Sequence, residues 1–324
     1  MLISAFGWYG ALIGCGMAIC IVLAFFMMKK RGYDSDIVFD IALICIPVGI
    51  LGARTYFVLN DIAHNNASWT LAEFFGFFNG EFVGFAGLAI YGGLIGGVLG
   101  LIIVRLINRR KEPSKQVTFI QLLDVCICLV ILGQAIGRWG NFANGEAYGQ
   151  LIENPSFQWF PFAVFIEGGK FGTGWYHACF FYESMWNFIG FALLQCIYNG
   201  KRKSFDGFCL AFYCVWYGTI RFFVESLRSD SMYFGGIKAN QLISAIIFLA
   251  GVGIVVYHIV MAKRSGKKLF IFVEQDKLGM DYYGYEKSFL YLKKTFKKSE
   301  LSKAVNEEEG KATENISNDV DEKL

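Results

Sequence analysis

The run from Phe119 to Ile136, FIQLLDVCICLVILGQAI, passes without a break into Gly137-Arg138-Trp139-Gly140-Asn141-Phe142-Ala143-Asn144-Gly145-Glu146-Ala147-Tyr148-Gly149, GRWGNFANGEAYG. At 1.5 Å of rise per residue, the first part has the reach and the apolar character of a helix crossing most of a ~30 Å hydrocarbon core. The second part brings an arginine, two asparagines, a glutamate and four glycines. A span that ends in such a stretch puts polar chemistry at a membrane boundary.

The rest of the chain repeats this pattern. Of 324 residues, 55% are hydrophobic and only 18% charged, which excludes an ordinary soluble domain. The reading is an all-α polytopic membrane protein with about seven transmembrane helices, near 8–28, 37–59, 83–106, 117–137, 176–198, 206–226 and 240–261. If seven helices alternate, Lys29-Lys30-Arg31, the cluster from Arg105 to Lys115, Lys201-Arg202-Lys203 and Lys263 to Lys268 share one side. By the positive-inside rule that side is cytoplasmic, so the N terminus lies outside and the C terminus inside. No basic region precedes the first apolar stretch, as a cleaved signal peptide would require, so the first helix is expected to be retained. The expected organisation is a membrane domain over 1–264, with a small extracytoplasmic head over 138–175 containing turns or hairpin strands, and a charged cytoplasmic tail over 265–324.

Composition narrows the rest. The formal net charge of +3 says little about partners, and no feature calls for nucleic acid, metal or cofactor. The nine cysteines fall in or beside apolar runs without paired CxxC spacing, and most are read as small buried hydrophobes. The glycine-rich run FAGLAIYGGLIGGVLG permits close helix approach. Residues 60–80, with Trp69 and four phenylalanines, are expected to lie along the membrane boundary. In the tail, 269–298 reads as an interfacial amphipathic segment and the last ~30 residues as disordered.

Ionisable residues inside spans are costly and mark candidate sites. Four stand out: Arg54, Arg138, Arg221 and Glu225. The last two are four apart in YGTIRFFVESLR and so share a helical face, which a structural ion pair also explains. Arg138, followed by Asn141, Asn144, Glu146 and flexible glycines, tips the balance towards a site. Two guanidiniums near one leaflet, with amide donors beside them, suit a phospholipid phosphate through charge and bidentate geometry together.

GRWGNFANGEAYG resembles the signature of the bacterial prolipoprotein diacylglyceryl transferases, G-R-x-G-N-F-x-N-G-E-x-Y-G. The resemblance extends over about residues 5–262. It includes Trp8-Tyr9-Gly10, Gly52-Ala53-Arg54-Thr55-Tyr56, Tyr91-Gly92-Gly93, His177 with Tyr182-Glu183, and Arg221-Phe222-Phe223-Val224-Glu225. It implies an enzyme of the plasma membrane that moves diacylglyceryl from phosphatidylglycerol to the lipobox cysteine of a preprolipoprotein, forming a thioether and releasing glycerol 1-phosphate. It also implies that Arg138 and Arg221 stabilise the phosphate leaving group. Asn141, Asn144 and Glu146 shape the headgroup site, Glu225 orients Arg221, and Tyr9 and Gly149 line the pocket. Arg54 is placed with the substrate-binding set. The chain departs from the family in carrying Tyr91 where many members have the histidine proposed to help deprotonate the thiol. It also reads His177-Ala178-Cys179-Phe180-Phe181-Tyr182-Glu183 where the family has H-P-x-Q-L-Y-E. Two other readings are a transporter, which predicts repeat symmetry the sequence lacks, and a non-catalytic phospholipid-binding protein.

Overall fold

A computed structural model describes residues 2–30, 33–65, 67–82, 84, 87–111, 116–169, 172–199, 202–203, 205–228, 233–234 and 236–266, with three two-residue pieces beyond them. The chain is mostly helical: α1 (Leu2–Lys30), α2 (Ile37–Asn65), a one-turn α3 (Leu71–Phe74), α4 (Ile90–Asn108), α5 (Phe119–Ala143), α6 (Cys179–Asn199), α7 (Phe208–Leu227) and α8 (Ala239–Arg264). Among the described residues six of these, all but α3 and α6, are long and apolar enough to cross a membrane. The 21-residue α6 is of similar length but carries Glu183, Ser184, Asn187 and Gln195 in its interior. Leu43, Leu94, Leu249 and Ile90 are among many large apolar side chains left exposed on the helices, as lipid-facing surfaces require. The multi-pass architecture expected from the sequence is therefore present. The amphipathic and disordered segments expected in the tail lie outside the described residues, apart from those short pieces.

Two helix boundaries differ from expectation in a way that matters for the site. The third long helix starts at Ile90, not near 83, because residues 77–82 form a tight hairpin of β1 (Phe77–Phe78) and β2 (Glu81–Phe82) and Gly84 and Gly87 have positive φ. Helix α5 continues through Arg138 and Asn141 to Ala143, and the chain turns only at Gly145 and Ala147, with φ of 66° and 61°. Gly137 and Gly140 are thus helical, so Arg138 sits inside the helix, ahead of its last turn, and not on an exit loop.

Packing then follows from small residues and crossed caps. Helices α2 and α4 approach to backbone contact: a Cβ on Gly52 would lie 2.5 Å from the Gly92 carbonyl, and one on Gly100 2.8 Å from Cys45 Cα. Helix α7 meets α8 the same way, with Gly218 against the Ser244 carbonyl and Gly251 against that of Ala211. Between α6 and α7, Trp186 and Trp216 each donate an indole N–H to the other's carbonyl at 3.0 Å, with their rings stacked. At the opposite end of α5 from Arg138, a capping box closes the helix start: Thr118 Oγ1 accepts from Gln121 N, and the Gln121 side chain accepts from Thr118 N. Nearby, the buried Asp124 accepts from Gly207 N at 2.7 Å and Leu210 N at 3.1 Å, capping the start of α7 from a neighbouring helix.

Between α5 and α6 the chain forms an antiparallel hairpin, β3 (Ala163–Gly169) and β4 (Gly172–His177), so the strands expected in this stretch are there. Its small core is Tyr148, Ile166 and Tyr176. The segment before the hairpin, tied to β4 by His177 N to Gln150 O at 3.1 Å, docks on the end of α7 through Gln150 N to Leu227 O at 2.8 Å, and Tyr182 at the start of α6 donates its hydroxyl to the Phe162 carbonyl just ahead of β3. Of the nine cysteines, Cys128, Cys179 and Cys209 are buried, four are intermediate, and Cys15 and Cys196 are exposed on the helices; none forms a disulfide.

Candidate active site

The ends of α5, α6 and α7 bring four charges together. Glu183, only 1% exposed, ion-pairs with Arg138 through one carboxylate oxygen and with Arg221 Nη1 at 3.0 Å through the other. Arg221 Nη2 meets Glu225 at 3.0 Å on the same face of α7. Four helix-borne charges thus form one line, Arg138–Glu183–Arg221–Glu225. The pair expected on α7 exists, but it is half of a larger array.

The acids and bases in this array are not equivalent. Both glutamates are buried, whereas the Arg138 and Arg221 side chains keep 18% and 13% exposure. A guanidinium has five N–H donors, and each arginine commits two nitrogens to partners here, Arg138 reaching Asn141 Oδ1 at 3.5 Å as its second. The carboxylates hold the two guanidiniums in place while both keep partial exposure. Such an arrangement is suited to an oxyanion that carries several acceptors, because the donors are fixed before the anion arrives.

Helix α8 closes the array. Asn240 donates Nδ2–H to Glu225 Oε1 at 3.1 Å, and the Tyr91 hydroxyl of α4 donates to Asn240 Oδ1 at 3.4 Å. Lys238, just ahead of α8, donates to the carbonyls of Glu225, Ser226 and Arg228, satisfying the exposed end of α7 and complementing its dipole. Trp139 donates to Ser184 Oγ at 3.0 Å, and Ser184 to the Ala135 carbonyl at 2.9 Å, which fixes α5 against α6 beside the Arg138–Glu183 pair.

The other residues singled out in the sequence fall in different places. Asn144 is the C-cap residue of α5 and Glu146 follows on the turn, its N–H donating to the Asn141 carbonyl at 2.8 Å; both are exposed. Gly149 is buried where a Cβ would lie 2.7 Å from His177 Cβ and 2.8 Å from the Leu227 carbonyl, so it seals the junction of hairpin, α6 and α7. Tyr9 is on α1, but its side chain lies outside the described residues. Arg54 belongs to a separate centre. It is fully buried, donates to the carbonyls of Phe74 at 3.0 Å, Glu73 at 2.6 Å and Gly87 at 3.3 Å, and lies over the Trp69 ring at 4.8 Å. That guanidinium ties α2 to the end of α3 and the entry to α4.

Sequence reasoning gave no role to Glu183, Asn240 or Lys238. Glu183 carried a usable signal, an acid inside a spanning-length helix. Asn240 and Lys238 carried none, since an amide and a lysine at a helix start are ordinary residues.

Comparison with known proteins places the chain in a family. The family model described as prolipoprotein diacylglyceryl transferase matches residues 2–257. A phosphatidylglycerol–prolipoprotein diacylglyceryl transferase of Streptococcus agalactiae is 36% identical over 254 residues, covering 77% of this chain and 90% of the relative. One from Streptococcus pyogenes is 36% identical over 248 residues, covering 76% and 88%. With every helix that builds the charged array inside the matched region except the last residues of α8, the chain belongs to the prolipoprotein diacylglyceryl transferase family.

Proposed function

We propose that this protein transfers the diacylglyceryl group of phosphatidylglycerol to the lipobox cysteine of preprolipoproteins. The observation that carries the reading is the array in which buried Glu183 and Glu225 present two partly exposed arginines side by side. In the reaction the cysteine sulfur forms a bond to the glyceryl carbon while the C–O bond to phosphate breaks. The electron pair of that bond leaves on the phosphate oxygen of glycerol 1-phosphate, and the thiol proton is passed on to solvent or to the leaving phosphate. Negative charge grows on the phosphate as C–O cleavage proceeds, so donors fixed around it favour the transition state over the ground state.

Arg138 and Arg221 are assigned to the phosphate, Glu183 and Glu225 to holding them, and Asn141 with the exposed Asn144 and Glu146 to the glycerol headgroup. Tyr91 lies beyond Asn240, at the end of the array from which the thiol is proposed to enter. A neutral phenol donates and accepts hydrogen bonds but is a poor proton acceptor, so the role of Tyr91 is read as orienting the thiol. Tyr9 is retained as a pocket residue on the family resemblance. For Arg54 the geometry favours a structural strut over contact with lipid, and Gly149 serves as a sealed joint.

The orientation follows from loop charge: N terminus outside, C terminus cytoplasmic, with the 138–175 excursion forming an extracytoplasmic head on a 1–264 membrane domain and 265–324 a cytoplasmic tail. Reporter fusions near residues 65, 160 and 232 are then expected to read outside, and fusions near 110, 202 and 290 inside. The deciding experiment for the function is transfer of radiolabelled diacylglyceryl from phosphatidylglycerol to a lipobox peptide by the purified full-length protein. Binding of the lipid without transfer would overturn the enzymatic reading.

A further inference from the structure

Tyr91 and Glu225 communicate through a single amide, and the chemistry of the two neighbours fixes which way that amide points. The Glu225 carboxylate is held by Arg221 and offers only acceptors, so the NH₂ of Asn240 faces it, at 3.1 Å. Oδ1 is thereby turned towards Tyr91, and an amide oxygen can only accept. The proton on the 3.4 Å line between Tyr91 and Asn240 is therefore the phenolic one. The first turn of α8 is held firmly enough to keep this polarity. Gln241 Nε2 donates to Ser226 Oγ at 2.7 Å and to the Phe222 carbonyl at 3.3 Å, and Ser244 Oγ donates to the Asn240 carbonyl at 2.6 Å. On the other side the backbone next to Tyr91 is locked by the Gly52–Gly92 contact, and the Tyr56 ring lies 6.1 Å from that of Tyr91.

We infer that Asn240 is a positioning residue that sets the polarity of Tyr91: by taking the phenolic proton it leaves the oxygen lone pairs to accept a hydrogen bond from the incoming thiol S–H. The Tyr91 side chain is not sealed in the core, since the residue is 45% exposed. Held as an acceptor, the phenol orients the sulfur without itself becoming a base, which suits a residue with no imidazole. The inference rests on the transferase reading and names the group that prepares Tyr91 for the second substrate.

The test uses full-length protein in micelles containing phosphatidylglycerol, with a lipobox peptide as acceptor. Asn240→Ala is expected to lower kcat ~10-fold, the size of one lost hydrogen bond, while KM for phosphatidylglycerol stays within ~2-fold. Tyr91→Phe is expected to do the same, and the double variant to be no slower than the slower single, because both remove one link. Asn240→Asp is nearly isosteric and keeps the test usable should the alanine variant fold poorly, with thermal melting as the check. The titratable and charged groups around this position are Tyr91 from α4, Tyr56 from α2, Glu225 with Arg221 and Tyr217 from α7, and Lys238 ahead of α8. An ionised aspartate could still accept from Tyr91, but it cannot donate to Glu225 and is repelled by it, which turns the side chain out of its place between the two; this variant is therefore expected to be slow at pH 8 and to regain activity as the pH falls and its carboxyl gains a proton. Additive losses in the double variant, a rise in KM for phosphatidylglycerol at unchanged kcat, or an Asn240→Asp profile parallel to the parent's would each overturn the inference. A parent protein that transfers nothing defeats the transferase reading itself, whereas an active parent matched by both Asn240 variants defeats only the role given to Asn240.

Discussion

The two ends of the α5–α7 pair both bury charge, about 21 Å apart along α5 at 1.5 Å per residue, and they use it in opposite ways. At the Asp124 end the acceptors are directed at the fold. Asp124 takes two backbone N–H groups at the start of α7, Asn108 takes Val117 N at 2.8 Å, and Gln121 donates to Asp206 at 3.1 Å. Just outside this layer Lys111 reaches Asp34 and Asp40 at 3.4 Å; burial pulls its pKa down, but the two carboxylates outweigh this and hold it above the ordinary lysine value. At the Arg138 end the charges are directed at each other, and the two arginines keep donors and exposure. A buried polar group whose partners are backbone stabilises a connection. A buried acid whose partners are partly exposed arginines prepares a surface for something else.

Substitutions at the two ends separate these roles. The largest effect is expected for Arg138→Ala and Arg221→Ala. Each removes charged donors to the leaving phosphate and is expected to cost at least ~10²–10³ in kcat, with melting in detergent little changed. Lysine at either position is expected to recover little, since a point charge does not reproduce the planar fork. Full activity in both lysine variants would remove the bidentate reading and with it the contrast between the two ends. Next is Glu183→Gln, which keeps the shape but weakens the tether shared by both arginines. A loss of ~10²-fold is expected, seen as a raised KM for phosphatidylglycerol together with a lower kcat.

The Asp124 end is expected to respond in stability alone. Asp124→Ala leaves the start of α7 uncapped in a buried setting, at a cost of ~1–3 kcal/mol, read as a lower melting temperature and lower folded yield. The folded fraction is expected to keep the parental kcat, and a catalytic loss comparable to that of Glu183→Gln would erase the distinction drawn here. The smallest effect concerns His177 at the end of β4, whose pKa is pushed down by burial. With the folded-state value below the ordinary 6.5, stability is complete above that pH and declines as pH falls from 6.5 through the lowered value. His177→Gln is expected to flatten this shallow acid-side loss, measured as melting temperature between pH 7.5 and 5.

The sequence alone was enough for the multi-pass helical character and for the family, because both are written in local signals. Apolar length identifies spans without knowledge of their neighbours, and GRWGNFANGEAYG is contiguous. It was also enough to bring Arg221 and Glu225 onto one face, since i and i+4 meet on any helix. Boundaries were less legible. The glycines at 137 and 140 read as a turn, yet the hydrogen-bonded helix continues to Ala143 and only Gly145 and Ala147 take positive φ. Arg54 and Arg138 are both arginines of spanning helices, and the sequence places both with the substrate site. What distinguishes them is which atoms arrive from elsewhere: three carbonyls from α3 and the approach to α4 for Arg54, and a carboxylate from α6 for Arg138. Glu183 and Asn240 acquire their roles only because the α5–α6, α6–α7 and α7–α8 packings bring four helices to one point. Whether a charge is a strut or a site depends on the partners that complete its hydrogen bonds, and those partners lie up to 149 residues away, as Tyr91 and Asn240 do.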